Sequence, residues 1–559
     1  FEREKPEFTA DKKYMGSFSA GLKDNSEYWE TSIDVAAGNS DAYLRGLATY
    51  SDADNYEDGD GNKVSSAFTG KEGTVIAGYN FDAKSNIELS YTANREDEIY
   101  FAGAGMDSPW TDNDLYQLKF NTENAVGPFS AIKAEIYSSD VDHLMDNYSL
   151  RKKGMPNMYA RAPSTSDTDG GRVIATFQQT AHTWNIGVDY QDNTRKAERY
   201  SAMSAAAANS ATTPDSILWP DAELKQTGIF AEMERPLDQN NRVKVGLRYD
   251  YVEADISKAD DTAQLNTPMG VVQYTPRELY NGYYDKSAST STTENNVGGF
   301  IRLEHRLDEN AAVYGSLSRS VRTADATERY ISANSPMATM RWVGNTNLDP
   351  EAHHQIEVGY QRRQANWDFD ISVYYNDVSD FILRDRAHDQ SGIKLDDNAS
   401  IYRNVDAELY GFETGLSMRW NDNWSSVFTL AYVHAENTTD DRAIAQTPPL
   451  EGTINLEYNK NDWRIGGLIR AQDNQSRVED NINEDSGLDA DKTPGWATLD
   501  IFGSYEGHDN LTVSAGVNNL FDLTYAYHVN RASTDPFNPD AVQVNEPGRE
   551  VWLKAKLLF

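Results

Sequence analysis

Apolar residues recur at every second position through much of this chain, and the alternating runs start at turn signals. Asp238-Gln239-Asn240-Asn241 leads into Val243, Val245, Leu247, Tyr249 and Tyr251, with Lys244, Gly246, Arg248 and Asp250 interleaved. Ala365-Asn366 precedes Phe369, Ile371, Val373 and Tyr375, and His508-Asp509-Asn510 precedes Leu511, Val513, Ala515 and Val517. Further copies begin near Asp82, Asp308, Asn421 and Asn459. Period two with Asn/Asp/Gly turns predicts strands joined by hairpins. The chain ends the same way: Val551, Leu553, Ala555, Leu557 and Phe559 are apolar, and the positions between them are mostly polar or interfacial. A terminal strand that is apolar along one face and closes on an aromatic residue resembles the closing strand of an outer-membrane barrel.

Between the tight turns lie long stretches rich in Asp, Asn, Ser, Thr and Gly. They run from Ser51 to Ser66, Met155 to Gly171, Ala197 to Pro220, Ala254 to Asn296 and Gln472 to Lys492, and are expected to be loops. Compact domains rarely hold several loops longer than about 15 residues. Short turns at one end and long loops at the other predict an all-β, transmembrane, antiparallel up-and-down β-barrel. Its short turns face the periplasm and its long loops face outside. At 559 residues, about 22 strands leave about 25 residues per strand and connection, and 22 strands is the size of plugged transporters; sixteen strands would leave about 35. No break in composition marks a second domain, so residues 1–559 are read as one barrel.

Composition narrows the function. Mean hydropathy of −0.69 and the lack of an apolar run of about 20 residues exclude helical spans but not strands, which need about 9–11 residues. A net charge of −37 argues against nucleic acid as a partner, since it repels phosphates, and favours cations. The 32 Tyr and 11 Trp are enough to supply two interfacial girdles. With no cysteine, the chain has neither disulfides nor thiolate ligands. No signal peptide is visible.

The strongest candidate chemistry lies in Val141 to Arg151, where His143 and Met145 are two positions apart. On an extended segment both point to the same side, so both can reach one ion. Thioether is a soft ligand that selects copper(I) over calcium or magnesium, and imidazole suits copper in either oxidation state. The bland alternative is an ordinary strand-end pair. Met155 and Met158 follow in a Met-Pro-Asn-Met loop, and with Met337, Met340 and Met106 they are read as loop packing. His353 and His354 are adjacent on a strand, so they face opposite sides. Asp52, Asp54, Asp58 and Asp60 suggest calcium, yet Tyr56 breaks the ligand order and the closing Glu is missing, so a solvated loop is expected. No His-Glu-x-x-His, Walker loop or nucleophile elbow is present, and nothing makes an enzymatic case.

Three further segments carry a family resemblance. Val517-Asn518-Asn519-Leu520-Phe521-Asp522, then Tyr525, then Pro547-Gly548-Arg549, is similar to the carboxy-terminal signature of TonB-dependent outer-membrane receptors. In that signature an Asn-rich hairpin sets the register and Gly548-Arg549 turns the chain into its last strand. Asn347-Leu348-Asp349-Pro350-Glu351 resembles a mid-barrel landmark of the family, and Asp54 to Gly61 resembles its early-barrel loop. The His143-x-Met145 stretch, Asn404-Val405-Asp406-Ala407 and the region from Asn519 to His528 are similar to the copper receptors of this family. The resemblance implies a bacterial outer-membrane transporter, a monomer in lipid, with copper as transported ligand and no cofactor. It implies metal ligands at His143 and Met145, completed by a Cys-x-x-x-Met pair on an N-terminal plug that is energised through the TonB complex. Neither plug nor TonB-contacting segment is recognisable here. Phe1 to Glu4 leads almost directly into candidate strands Tyr14 to Leu22 and Glu27 to Ala37, so the chain is read as the barrel alone. Two alternatives remain open: a receptor for a metal chelate, siderophore or other small nutrient, and a passive pore or structural barrel. A soluble all-β enzyme is more distant.

Overall fold

The computed structural model describes residues 5–9, 11–151, 158–508, 510–535 and 537–559. Phe1 to Glu4, Met155 and Asp509, named above, lie outside the described residues. Twenty-two antiparallel strands close into one barrel. They are β1 Tyr14–Lys23, β2 Trp29–Gly38, β3 Ala42–Ala53, β4 Phe68–Asp82, β5 Ser85–Ile99, β6 Asp107–Thr122, β7 Ala131–Asp146, β8 Tyr159–Gln179, β9 His182–Ala202, β10 Ser216–Pro236 and β11 Asn241–Ile256. The second half comprises β12 Ser291–Asp308, β13 Ala311–Arg322, β14 Glu351–Arg363, β15 Trp367–His388, β16 Asp396–Arg419, β17 Trp424–Asn437, β18 Glu451–Lys460, β19 Trp463–Gln472, β20 Trp496–His508, β21 Leu511–Asn518 and β22 Glu550–Leu558. Each strand pairs with its neighbours in sequence, and β1 pairs with β22 from Ser17↔Leu558 to Lys23↔Trp552. Gly16 and Phe559 then exchange two backbone hydrogen bonds of 2.9 Å, which closes the ring.

The connections alternate in length. Residues 83–84, 180–181, 309–310 and 461–462 turn the chain at one end, whereas 257–290, 323–350, 473–495 and 519–549 lie at the other. Several of the short turns share one device, a side chain that caps the amides ahead of it. Asp238 Oδ1 accepts from the Asn240 and Asn241 amides at 2.8 and 2.9 Å, and Asp82 and Asp308 cap Lys84 and Asn310 at 2.7 and 2.8 Å. Asx capping is why the Asn/Asp clusters in the sequence are true turns.

Outward faces carry an apolar belt. Leu247, Leu303, Leu317, Ile356 and Val358 are each more than half exposed, which lipid requires and water would penalise. Aromatic pairs flank the belt on both sides: Trp29 with Tyr50 (4.8 Å between ring centres) toward the long loops, Trp424 with Tyr458 (5.0 Å) and Trp463 with Tyr505 (4.6 Å) toward the short turns. Inward faces are polar and paired. Arg45 Nε donates to Asp34 at 2.8 Å, Gln117 to Glu135 at 2.5 Å and Arg302 to Glu304 at 2.9 Å. A cavity of about 460 Å³ against this wall is lined by Tyr43, Arg45, Glu88, Gln117 and Lys119 and reached by Lys5.

Buried apolar clusters lie in the long-loop cap rather than in the lumen. One joins Tyr280, Tyr283 and Tyr284 of helix α1 (Pro276–Tyr283) and its C-cap to Tyr330, Val343, Ile401 and Ala263. Several segments expected as loops prove to be strand. β8 starts at Tyr159, inside the stretch from Met155 to Gly171; β9 runs to Ala202 and β10 resumes at Ser216, inside Ala197 to Pro220; β12 begins at Ser291. These strands overshoot the bilayer, and above it no lipid imposes an apolar alternate face, so their sequence looks like loop. Gln472 to Lys492 is a loop, 473–495, as expected.

Candidate metal-capture face of the lumen

On β7 the two faces separate cleanly. Ile136 is 60% exposed on the outside, while its neighbour Glu135 takes the hydrogen bond from Gln117 on the inside. Counting on by twos from Glu135 brings His143 and Met145 to the inward face, at the end of the strand nearest the long loops. In register, His143 stands between Thr111 of β6 and Ser164 of β8, and Met145 stands opposite Ala162. These neighbours on the adjacent strands are small. His143 Nδ1 lies 3.2 Å from Ser164 Oγ, which orients the ring and leaves Nε2 as the nitrogen able to take a metal.

The segment just above this face is rigidly held. Buried Asp146 caps the next turn, accepting from the amides of Tyr148 and Ser149 at 2.9 and 2.8 Å. Arg151 pairs with Asp107, which is fully buried, with Nε to Oδ2 at 2.7 Å, and donates to the carbonyls of Ala104 and Phe101 at 2.8 and 3.0 Å. The segment 147–151 is thereby tied to loop 100–106. The ladder between β6 and β7 is irregular between Asp107 and Trp110, beside Met145. Among the described residues no group of three or more His, Cys, Asp or Glu is placed to hold a metal. The pair therefore offers one nitrogen and one sulfur, an incomplete soft-ion shell.

The other candidates fall elsewhere. His353 turns inward to Glu351 (Nε2 to Oε1, 3.1 Å) and Asn376, while His354 is exposed on the outer face, so they do share no site. Met337 precedes a single 3-10 turn and Met340 ends it; they are exposed by 57% and 60%, and so are not packed against a neighbour as expected. Asp58 corrects the solvated-loop expectation: it is 3% exposed, its Oδ1 accepts from the amides of Asp60 (3.1 Å) and Asn62 (2.9 Å), and its Oδ2 from Asn545 (2.8 Å). This early loop packs against the far end of the chain. A Cβ on Gly548 would meet both Asp522 Oδ1 and the Asp58 carbonyl at 2.8 Å, so the close approach excludes a side chain there. Asn519, at φ +46, binds the amide and carbonyl of Leu523 at 2.9 and 2.8 Å, and Asp522 Oδ1 accepts from the Arg549 amide at 2.7 Å. Val517 to Asp522 is thus the start of the long connection 519–549 rather than a tight hairpin. Asn404 likewise clasps the mid-barrel landmark, exchanging 2.9 Å hydrogen bonds with Asp349. These motifs fasten loops.

Sequence reasoning missed the ionic network in the cap. Asp385, 1% exposed, holds Arg403 (2.8 Å) and Arg442 (2.9 Å), and Arg442 reaches Glu479 at 3.2 Å. Burial pushes the Glu479 carboxyl up to about 7. Asp489 accepts from the Glu479 amide at 2.8 Å and lies 3.4 Å from the buried His528 ring. No spacing in the sequence signals contacts between loops so far apart.

Comparison with known proteins adds the following. Residues 17–520 match the family described as TonB dependent receptor-like, beta-barrel. The copper transporter OprC is 29% identical, with a TM-score of 0.86 over 100% of this chain and 82% of its own. The FrpB iron transporter from Neisseria meningitidis is 15% identical (TM-score 0.70, 98% of this chain, 81% of its own). The Serratia marcescens hemophore receptor HasR, in complex with its hemophore HasA and heme, is 16% identical (TM-score 0.72, 99% and 81%). The last two share the fold.

Proposed function

Because the chain belongs to the TonB-dependent receptor β-barrel family of outer-membrane transporters, we propose that it forms the wall of a receptor for copper uptake. The observation that carries this reading is an imidazole and a thioether side by side on the inward face of β7, at the end nearest the long loops. Likeness to the copper transporter OprC along the whole chain supports it. Copper is the cargo: the acidic cap, part of a chain with net charge −37, draws cations in, and His143 Nε2 with the Met145 thioether holds a soft ion over calcium or magnesium. Two donors leave the ion open to more ligands. A plug bearing a Cys-x-x-x-Met pair supplies them, and TonB moves that plug to release the ion inward, with one monomer per transport unit.

Equimolar copper(I) titration of the full chain tests the reading. The His143→Ala, Met145→Ala double variant is expected to bind at least about tenfold more weakly, since the two lost donors together are worth more than the roughly 1.4 kcal/mol that a factor of ten represents. Met340→Ala, at an exposed loop methionine, serves as the control. Wild-type affinity in the double variant overturns the assignment, and binding of an iron chelate in place of copper replaces it with a chelate receptor.

A further inference from the structure

With 51 basic side chains against 88 acidic ones, a guanidinium left without a carboxylate is unusual in this chain. In the cap, Arg195 pairs with Asp325 at 3.7 Å, Arg199 with Asp215 at 3.0 Å, Arg277 with Asp260 at 2.6 Å and Arg341 with Asp397 at 3.3 Å. Arg384, near the tip of β15, and Arg531, in loop 519–549, are exceptions: among the described residues neither is in an ion pair. The Arg384 guanidinium lies over the Trp342 ring, 4.4 Å from its centre, and its Nε donates to Ser400 Oγ at 2.8 Å. Trp342 is itself 6.4 Å, ring to ring, from Tyr402, the residue opposite Arg384 in the ladder. Stacking and the Nε bond together fix the guanidinium plane, while its two terminal nitrogens have no hydrogen-bond partner among the described residues. Arg386, two positions on, spends its nitrogens on the carbonyls of Ser486, Thr339 and Asn398 at 3.2, 3.2 and 3.1 Å.

Through Ser486 the β15–β16 hairpin touches loop 473–495, and that loop meets loop 519–549 where Thr493 Oγ1 lies 2.9 Å from His528 Nδ1. Arg531 follows three positions later. Its backbone is held in place: its carbonyl accepts from the Val544 amide at 3.0 Å, and an added Cβ on Gly103 would come within 2.9 Å of Arg531 Cβ. Its side chain is exposed and makes no hydrogen bond among the described residues. Burial pushes the Arg384 guanidinium below its usual range, and the charges of Arg386 and Arg531 push it further. Two parts of the cap that are far apart along the wall therefore meet with like charge. An oxyanion between them would remove the repulsion and give each fork the planar acceptor it lacks.

We propose that Arg384 and Arg531 bind a small oxyanion between them, the carboxylate of an organic acid or an inorganic sulfate, and that this anion fastens the β15–β16 hairpin to loop 519–549 and holds the cap closed. The site uses none of the residues assigned to copper and does not rest on that reading. Hydrogen exchange in loop 519–549 of the detergent-purified full chain tests it, at low ionic strength, with sodium sulfate, tricarballylate (a tricarboxylate) and, as the control, sodium chloride at matched ionic strength. Wild type is expected to exchange more slowly with an oxyanion than with chloride. Slowing by sulfate alone assigns an inorganic source, and slowing by the tricarboxylate alone assigns an organic acid. Arg384→Gln, Arg531→Gln raises the concentration needed for half the effect at least about tenfold, the loss of charge-assisted hydrogen bonds from two guanidiniums. Arg384→Lys also weakens the response, because it keeps the charge but not the fork. Resistance to SDS without heating verifies that each variant is folded. Exchange in wild type that neither oxyanion slows beyond chloride overturns the proposal, as does a response that persists undiminished in the folded double variant, and full response in Arg384→Lys overturns the bidentate geometry.

Discussion

Arg329 is fully buried, and among the described residues its ion-pair partner is Glu294 at the upper end of β12. The guanidinium also donates to the Leu348 carbonyl at 2.9 Å, and Glu294 takes a second hydrogen bond from Thr323 at 2.7 Å. Removing one partner leaves the other charge in a dry site, at a cost of about 3–5 kcal/mol, whereas removing both with apolar replacements of similar size costs far less. Glu294→Leu is therefore expected to raise hydrogen exchange in loop 323–350 strongly, and Glu294→Leu with Arg329→Met to restore most of the protection. Equal exchange in the single and double variants would sink this account. Nothing in the sequence announces the pair, because its partners sit in different elements with no motif between them. His143 and Met145 differ in this respect, since strand alternation alone fixes their common face.

The elements with most to regulate are the long loops. Glu479 and Asp489 of loop 473–495 meet Arg442 from loop 438–450 and His528 from loop 519–549, with Asp385 and Asp485 close by. Burial raises the Glu479 carboxyl to about 7, against about 4.3 in an unfolded chain. Between those values the packed loop holds a proton that the released loop has lost, so packing is strongest below the window and weakens as pH rises through it. Hydrogen exchange in residues 473–495, corrected for its intrinsic pH dependence, should be slower at pH 5 than at pH 8. Glu479→Gln should remove most of that difference, and a variant that keeps it would refute the assignment. The elements also mark where sequence reading stops. Turns such as Asp238 to Asn241 were legible because their capping chemistry is local, and β21 and β22 because lipid demands strict alternation. The first half of β8, with Asp167 and Asp169 on its outer side, was not, because water beyond the bilayer places no such demand on it.

At the scale of the molecule, the number of strands and the alternation of short and long connections followed from chain length and turn spacing, whereas the packed cap had no sequence signature. Its apolar residues, such as Tyr280, Tyr330 and Ile401, are scattered among polar loops and meet only in three dimensions. The girdle makes a direct test of how the barrel sits. In reconstituted bilayers, lipids brominated near the headgroup should quench tryptophan emission more than lipids brominated near the chain ends, and Trp463→Phe should reduce that component. Stronger quenching from the chain ends would contradict this placement of the belt.

The pairing of β1 with β22 has a consequence for assembly. Each of these two strands is an unsatisfied edge until it finds the other, and hydrocarbon offers no water to cover the gap. Since the partners stand more than five hundred positions apart, as in Lys554 with Glu30, the seam is sealed only after the intervening wall is in place. Loss of the last few residues would thus do more than shorten a strand: it would leave a sheet with two sticky margins, an invitation to aggregation rather than a smaller pore.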